Sequence, residues 1–145
     1  MQGSVKSIHI TAANGDRMTS VEEVRAVAGK GLEGDRYFDI RPDRQVTLIE
    51  AEAIEALERE NELKLDYGDA RRNVVTLGVP LNHLVGQEFR VGQVALRGVR
   101  LCEPCAHLAE LTDAKVLPGL VHRGGLRAEI LNDGIIRVGD AVSEG

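Results

Sequence analysis

Short apolar segments alternate with glycine-containing turns through much of the second half of the chain, and this pattern restricts the fold more than any other feature. Val91-Gly92-Gln93 suits a tight turn, and Asn132-Asp133-Gly134 suits the loop of a hairpin. Many short strands joined by such turns predict a closed or nearly closed β-barrel. The segments with the length and composition of strands are Val74–Leu77, Glu88–Val91, Gln93–Val99, Ala128–Asn132 and Ile135–Val138.

The first half adds two strands and a helix. Val5–Thr11 and Gln45–Ile49 suit strands, whereas Glu50–Glu62 carries apolar residues at helical spacing and predicts the main helix. Ser20-Val21-Glu22-Glu23 suits a helix-capping box, but the residues that follow, Val24–Ala28, equally suit a strand. We therefore predict a single domain, residues 1–145, of mainly β (α+β) class: a β-barrel with one main helix and short helical excursions.

Composition limits the partners that the chain can have. The net charge is −5 and the aromatic content is 3%, which does not suit the basic, aromatic-bearing surface of a nucleic-acid-binding protein. No apolar run approaches the roughly 20 residues of a membrane span, and the first residues lack the apolar core of a signal peptide. We expect a cytoplasmic protein that binds neither nucleic acid nor membrane and keeps its thiols reduced.

The two cysteines, Cys102 and Cys105, lie three residues apart in the sequence Cys-Glu-Pro-Cys. Such a pair suits a thioredoxin-type redox centre, half of a zinc site, or one reactive cysteine with a neighbour. The parallel βαβ pattern of thioredoxin-type proteins is not evident, and the sequence offers no second ligand pair with zinc-site spacing. A reactive cysteine, or two small buried side chains, is therefore favoured over the redox and zinc sites.

Arginines cluster locally despite the acidic net charge. Arg72 and Asn73, preceded by Arg71, lead directly into an apolar strand. Guanidinium groups suit phosphate oxygens, and an amide offers a donor and an acceptor to a heterocycle. The simpler alternative is that one arginine pairs with Asp69 while the other is solvated.

A second basic segment surrounds a pair of glycines late in the chain. His122, Arg123 and Arg127 flank Gly124 and Gly125. Backbone N–H groups and cationic side chains in such a segment suit the binding of a small anion. A flexible loop without a ligand is the alternative.

Taken in order, these motifs resemble the MOSC domain, the module found at the C-terminus of molybdenum cofactor sulfurases. This domain also occurs alone in small bacterial proteins and in molybdenum-dependent reductases of N-hydroxylated compounds. The resemblance covers nearly the whole chain. The matching stretches are Gly31-Leu32-Glu33-Gly34-Asp35-Arg36, Arg72-Asn73, Leu81–Gly86, Phe89-Arg90-Val91-Gly92, Cys102–Cys105 and Ile136-Arg137-Val138-Gly139-Asp140.

The resemblance implies a MOSC-type β-barrel with a functional cysteine at Cys105, which either carries sulfur as a persulfide or ligates molybdenum. It also implies molybdenum cofactor, a molybdopterin, as the ligand. Many relatives carry a histidine where this chain has Tyr37, so this position lacks a proton-transferring imidazole. The residues implied in cofactor binding are Arg36, Arg72, Asn73, His122, Arg123, Gly125 and Arg127.

Three functions suit this site. In the favoured one, Cys105 accepts sulfane sulfur from a cysteine desulfurase or another sulfur donor and passes it on, and any pyridoxal phosphate belongs to that partner. In the second, Cys105 ligates molybdenum, and the site reduces N-hydroxylated substrates with electrons from a partner protein. In the third, the chain binds the cofactor without chemistry. We expect Cys102 to be secondary, with a transient disulfide to Cys105 on oxidation.

Overall fold

The computed structural model describes residues 2–13, 17–61, 66–102 and 123–144, and strands are their commonest regular element. No helix in these ranges is long and apolar enough to cross a membrane. In chain order the elements are β1 Gln2–Ile10, β2 Thr19–Val21, β3 Glu23–Val27, β4 Gly31–Leu32, β5 Val46–Glu50, α1 Ala51–Asn61, a 3₁₀ helix Tyr67–Ala70, β6 Val74–Leu77, a 3₁₀ helix Leu81–Leu84, β7 Glu88–Val91, β8 Val94–Leu101, β9 Leu126–Ile130, β10 Gly134–Arg137 and β11 Ala141–Glu144.

Seven strands form a closed barrel. Their order is β11, β7, β8, β9, β5, β6 and β1, and the pairing of β1 with β11 closes the ring. Neighbouring strands in the ring are antiparallel except β5 and β6, which are parallel. Strand β2 pairs with β1 outside the ring, and β10, β3 and β4 form a separate sheet.

The main hydrophobic core fills the barrel because successive residues of a strand point to opposite faces of the sheet. Leu126, Ala128 and Ile130 of β9 are buried in this core, so Arg127 between them lies on the outer face. Each fully buried large side chain, such as Phe89, contributes about 1.5–3 kcal/mol to folding.

Helix α1 connects β5 to its parallel neighbour β6 and packs on the outside of both strands. Ile49 of β5 and Val75 of β6 form a second core with Ile54 and Leu57 of the helix. Two adjacent parallel strands need a crossover of this kind, and the helix returns the chain toward the beginning of β5 and β6. The end of α1 therefore approaches the region where the predicted Arg72–Asn73 pair enters β6.

The structure confirms the mainly β class, the barrel and the main helix. Helix α1 lies within the predicted range Glu50–Glu62, and Val74–Leu77 and Glu88–Val91 are strands as predicted. Residues 19–21 pair with β1 and residues 23–27 pair with β10, so the capping-box interpretation is wrong and the strand interpretation is right. Strand formation in this segment follows the alternation of apolar residues and not the local capping signal.

The predicted hairpin over residues 128–138 is wrong. Both of its segments contain strands, but β9 pairs with β5 and β8, whereas β10 pairs with β3 in the second sheet. Asn132 Oδ1 accepts a hydrogen bond from the backbone N–H of Ala95 at 2.6 Å, and Asp133 Oδ1 accepts one from that of Ala28 at 2.8 Å. The loop side chains therefore bond to β8 and to the residue that follows β3, and β10 is directed away from β9.

Candidate functional site

Several predicted site residues gather around the first residues of β5 and β6. Thr47 of β5 lies opposite Arg127 of β9, which in turn lies opposite Arg100 of β8. Residues in register on neighbouring strands share a face, so these side chains belong to the outer face of the barrel. Asn73 bonds to Thr47, which brings the Arg72–Asn73 pair to the same region.

Asn73 joins the two strands that flank β6. Its Oδ1 accepts hydrogen bonds from the backbone N–H and the hydroxyl of Thr47, at 3.1 and 3.2 Å. Its Nδ2 donates to the carbonyl oxygen of His9 at 3.1 Å, and the residue is fully buried. Asn73 thus holds β1 and β5 together, and its contact with a cofactor heterocycle stays a prediction.

Arg72 bonds to one residue on each side of residues 103–122, the segment that contains Cys105. Its Nε donates to the carbonyl oxygen of Gly124 at 2.7 Å, and its Nη2 donates to that of Cys102 at 3.3 Å. The N–H of Cys102 donates in turn to the carbonyl oxygen of Gly125 at 2.7 Å. Arg72 is only 8% exposed, so its charge lies in a largely desolvated setting. The chain that enters and the chain that leaves residues 103–122 therefore meet at this guanidinium.

Gly125 allows two backbones to come close together. Its φ is 106°, a conformation that residues with a Cβ rarely adopt, and a Cβ here would overlap the carbonyl oxygen of Leu48. The glycine pair therefore packs against β5 and offers carbonyl oxygens to Arg72 and to the N–H of Cys102. Its predicted role in binding an anion stays a prediction.

Arg36 is held by ionic, hydrogen-bonding and stacking contacts. Its Nη1 lies 3.4 Å from the buried carboxylate of Asp35, which also accepts a hydrogen bond from the N–H of Thr11 at 3.2 Å. Its Nη2 donates to the carbonyl oxygen of Arg71 at 3.2 Å. The guanidinium carbon lies 4.4 Å from the centre of the Tyr37 ring, a cation–π distance. Tyr37 therefore supports the charge of Arg36.

Arg71 carries backbone strain that its sequence context does not reveal. Its φ is 59°, and a left-handed conformation costs a residue with a Cβ about 1–2 kcal/mol. Its N–H donates to the carbonyl oxygen of Gly68, and its own carbonyl accepts from Arg36. Such strain persists where the surroundings hold it, and it concentrates at functional sites. Arg71 is therefore added to the candidate site.

Arg123 lies at the end of helix α1. Its Nη1 and Nη2 donate to the two carboxylate oxygens of Glu60, at 3.0 and 3.2 Å. These hydrogen bonds, with the charge of Arg123, lower the pKa of Glu60 from its usual value. The pair is partly exposed, so its main effect is to orient Arg123 rather than to stabilise the fold.

The donor chemistry of the site fits a phosphate group. Nε of Arg36, Nε of Arg44 and Nη1 of Arg127 are buried, and no group in the described part of the chain accepts a hydrogen bond from them. Buried donors normally have an acceptor. Phosphate oxygens match guanidinium N–H groups in geometry and charge, so each of these donors suits an anionic oxygen such as those of a molybdopterin phosphate.

The predicted functional cysteine, Cys105, and the predicted His122 lie outside the described residues. Cys102 is described, and it is a buried free cysteine with 2% exposure. Within the four described ranges, no three His, Cys, Asp or Glu side chains are grouped as a metal site. The assignment of Cys105 as a persulfide carrier or molybdenum ligand therefore stays a prediction.

His9 is a buried titratable residue beside Asn73. Its Nε2 lies 2.8 Å from the hydroxyl of Ser7, and its Nδ1 lies 3.2 Å from that of Ser20. Burial lowers the pKa of His9 from its ordinary value of 6.5, and the charge of Asp69 partly opposes this shift. The placement of Ser7 and His9 two residues apart on one strand face is the only signal of this cluster in the sequence.

Acidification is expected to destabilise the native protein through His9. The native pKa lies below the unfolded value, so the unfolded chain binds the proton more readily and the native state loses stability as the pH falls below about 6.5. His9→Gln cannot titrate, and its amide can still bond hydroxyl groups. Urea unfolding at about pH 7.5 and about pH 5.5 should show a smaller acid-induced loss in this variant. An equal acid-induced loss of unfolding free energy in the wild type and in His9→Gln would exclude His9 as the cause of the destabilisation.

Two surface clefts lie apart from these residues. One of about 370 Å³ is lined by Pro80, His83, Leu84, Gln87, Glu88 and Glu144. Another of about 90 Å³ is lined by Gly29, Asp39, Ile40, Arg41 and Pro42. Neither contains a predicted site residue.

Solved structures share this fold. The YuaD protein from Bacillus subtilis superposes with a TM-score of 0.86 at 16% identity, covering 98% of this chain and 94% of that one. YiiM from Geobacillus stearothermophilus has a TM-score of 0.78 at 18% identity, covering 99% and 75%. YiiM from Escherichia coli has a TM-score of 0.72 at 22% identity, covering 100% and 70%.

The amino-acid sequence itself matches a family model. A comparison with curated proteins finds no match to the chain. The MOSC domain model matches residues 35–143, a range that includes the predicted site residues from Arg36 to Arg127 and most of the barrel. The match spans well over half of the chain, and the fold agrees with it. The protein therefore belongs to the MOSC domain family.

Proposed function

We propose that this MOSC domain protein binds molybdenum cofactor at its arginine site and carries sulfane sulfur on Cys105. The observation that carries the proposal is the position of Arg72. Its guanidinium bonds to Cys102 and Gly124, the residues that flank the segment containing Cys105. A buried cationic group and the described residues on either side of that segment are therefore in contact.

The arginines supply the charge that an anionic cofactor needs. Arg36 and Arg72 are both largely buried, and buried guanidinium groups interact more strongly with phosphate than exposed ones do. Arg127 adds a buried N–H without an acceptor among the described residues, and Arg123 lies nearby in sequence. Molybdenum cofactor, when bound, would supply a metal centre able to accept or exchange sulfur. Arg36, Arg72 and Arg123 would hold its phosphate.

Cys105 supplies the nucleophile. Three residues of chain span at most roughly 11 Å, so the Cα of Cys105 can be no further than this from that of Cys102, whose carbonyl oxygen accepts a hydrogen bond from Arg72. Its thiolate attacks the terminal sulfur of a donor persulfide. A new S–S bond forms on Cys105, the donor S–S bond breaks, and the donor leaves as a thiolate, so atoms and charge balance. A guanidinium close to Cys105 would stabilise the thiolate form that this step requires. The donor is a cysteine desulfurase, which brings its own pyridoxal phosphate.

Sulfur loading tests the proposal. The protein is incubated with a cysteine desulfurase and cysteine, and the intact mass is measured. We expect the mass of one additional sulfur in the wild type and in Cys102→Ser, and none in Cys105→Ser. Cys102→Ser is the matched control because it removes a thiol from the same motif.

Elemental analysis separates this proposal from the reductase alternative. The protein is purified from a host that makes molybdenum cofactor, with Cys105→Ser alongside. Near-stoichiometric molybdenum that disappears in Cys105→Ser, together with no sulfur loading, would overturn the carrier proposal. That result would favour a reductase supplied by a partner electron donor.

A further inference from the structure

We infer that Arg100 and Arg127 form a site for a small sulfur oxyanion of the thiosulfate class, which loads sulfur onto Cys105. This inference rests on the proposed carrier role of Cys105 and names a second donor for it. The cross-strand pairing of the two arginines carries the inference, together with their surroundings on the outer face of β8 and β9.

Arg100 and Arg127 form an unusual pairing of like charges. The two residues are register partners on neighbouring strands, directly after a register shift between Gly98 and Arg100, and like charges on facing positions destabilise a sheet. The same strands show the ordinary arrangement nearby. There, Arg97 of β8 lies opposite Glu129 of β9 with a 2.7 Å contact, and Glu88 of β7 adds a second carboxylate at 3.1 Å.

The local charge around Arg100 and Arg127 is positive. Asp43 lies 3.5 Å from Nη2 of Arg100, but the same carboxylate also lies 3.4 Å from Nε of Arg41. Nη1 of Arg127 is buried, and none of the described residues accepts a hydrogen bond from it. The carboxylate of Asp43 is therefore shared by Arg41 and Arg100, and Arg127 adds a third positive charge beside Arg100. A dianion would satisfy this excess and supply the missing acceptor.

Arg100 is close to the cysteines in the sequence, and Arg127 is linked to Cys102 through Gly125. Arg100 precedes Cys102 by two residues and Cys105 by five in the same segment. Arg127 follows Gly125, which bonds to Cys102. A tetrahedral oxyanion on this pair would therefore lie close in the fold to Cys102, which precedes the proposed nucleophile by three residues. Thiosulfate combines the charge of a dianion with a transferable sulfur atom, which phosphate lacks.

The chemical step balances without a further oxidant or reductant. The thiolate of Cys105 attacks the outer sulfur of thiosulfate and forms a new S–S bond. The S–S bond of thiosulfate breaks, and sulfite leaves with the bonding electron pair. The products are a persulfide anion on Cys105 and sulfite, with the same total charge as the reactants. An acceptor thiolate or the cofactor then removes the outer sulfur from Cys105.

The test follows sulfur and sulfite together. Full-length protein is incubated with thiosulfate, and the mass gain on Cys105 is compared with the sulfite released. We expect equal amounts of both. Arg100→Gln and Arg127→Gln should each raise the thiosulfate concentration for half-maximal loading by roughly tenfold or more, because each removes a charged hydrogen-bond donor. Arg97→Gln, the matched control on the same strand face, should leave it unchanged.

Two further arms separate the outcomes. Inorganic phosphate should compete with thiosulfate, whereas chloride at equal ionic strength should not. Loading from a desulfurase but not from thiosulfate would overturn this inference and leave the proposed function standing. Absence of loading from both donors would overturn both. Phosphate binding that depends on Arg127, without any thiosulfate loading, would assign the pair to a phosphorylated ligand and also overturn the inference. Unchanged thiosulfate loading in both arginine variants would show that Arg100 and Arg127 do not bind thiosulfate.

Discussion

Gly125→Ala is expected to destabilise the protein by about 2–5 kcal/mol, a large part of the roughly 5–15 kcal/mol that holds a typical domain folded. The φ of Gly125 is 106°, and the added methyl group would overlap the carbonyl oxygen of Leu48. Overpacking costs about 1–3 kcal/mol, and the positive φ adds about 1–2 kcal/mol. Urea unfolding of the wild type and the variant measures the difference.

Gly86→Ala is the matched control for the conformational part of this cost. Gly86 also has a positive φ, 77°, but a Cβ there would meet no atom within 4 Å. We expect it to lose about 1–2 kcal/mol. A loss in Gly125→Ala no greater than the loss in Gly86→Ala would show that β5 moves aside, and it would contradict the close-approach explanation.

Asn73→Ala is expected to cost about 3 kcal/mol or more, because it leaves several buried groups without partners. The N–H of Thr47 loses its acceptor, and the carbonyl oxygen of His9 loses its donor. Each unsatisfied buried group costs about 1–3 kcal/mol, and the cavity left by the amide adds to this. Chemical denaturation should therefore show a large drop in the free energy of unfolding.

Asn132→Ala provides a control with the same chemistry at an exposed position. The side chain of Asn132 also accepts from one backbone N–H, that of Ala95, and donates to one carbonyl, that of Gln93. Water can replace these bonds, so we expect a loss of about 1 kcal/mol or less. Similar losses in the two variants would mean that burial at Asn73 has little energetic effect.

The pattern of apolar residues predicted most of the secondary structure because that pattern is local. Helix α1 and strands β6 and β7 follow from the spacing of apolar residues along a few turns or a few strand positions. The hairpin over residues 128–138 was predicted wrongly for the opposite reason. Its turn residues bond to β8 and to the end of β3, and no local pattern encodes those partners.

The residue types of the candidate site were also visible in the sequence, but their individual contacts were not. Arg72 was predicted as a ligand-binding arginine, and the structure adds that it bonds to the carbonyls of Cys102 and Gly124. Asn73 also has a structural role, because its side chain joins β1 to β5 by hydrogen bonds. The strain at Arg71 depends on contacts made after folding, including the one with Arg36, so the residue type alone does not predict it.

By itself, the sequence determined the mainly β class, the main helix, the cysteine motif and the arginine-rich segments, because periodicity and side-chain chemistry are properties of neighbouring residues. Only the tertiary structure decided which strands pair, why Gly125 must lack a side chain, and that Arg127 faces Arg100. These features arise where segments far apart in the chain meet, as β5 and β9 do. Whether two such backbones come within contact distance depends on the packing of the whole barrel, which no single segment specifies.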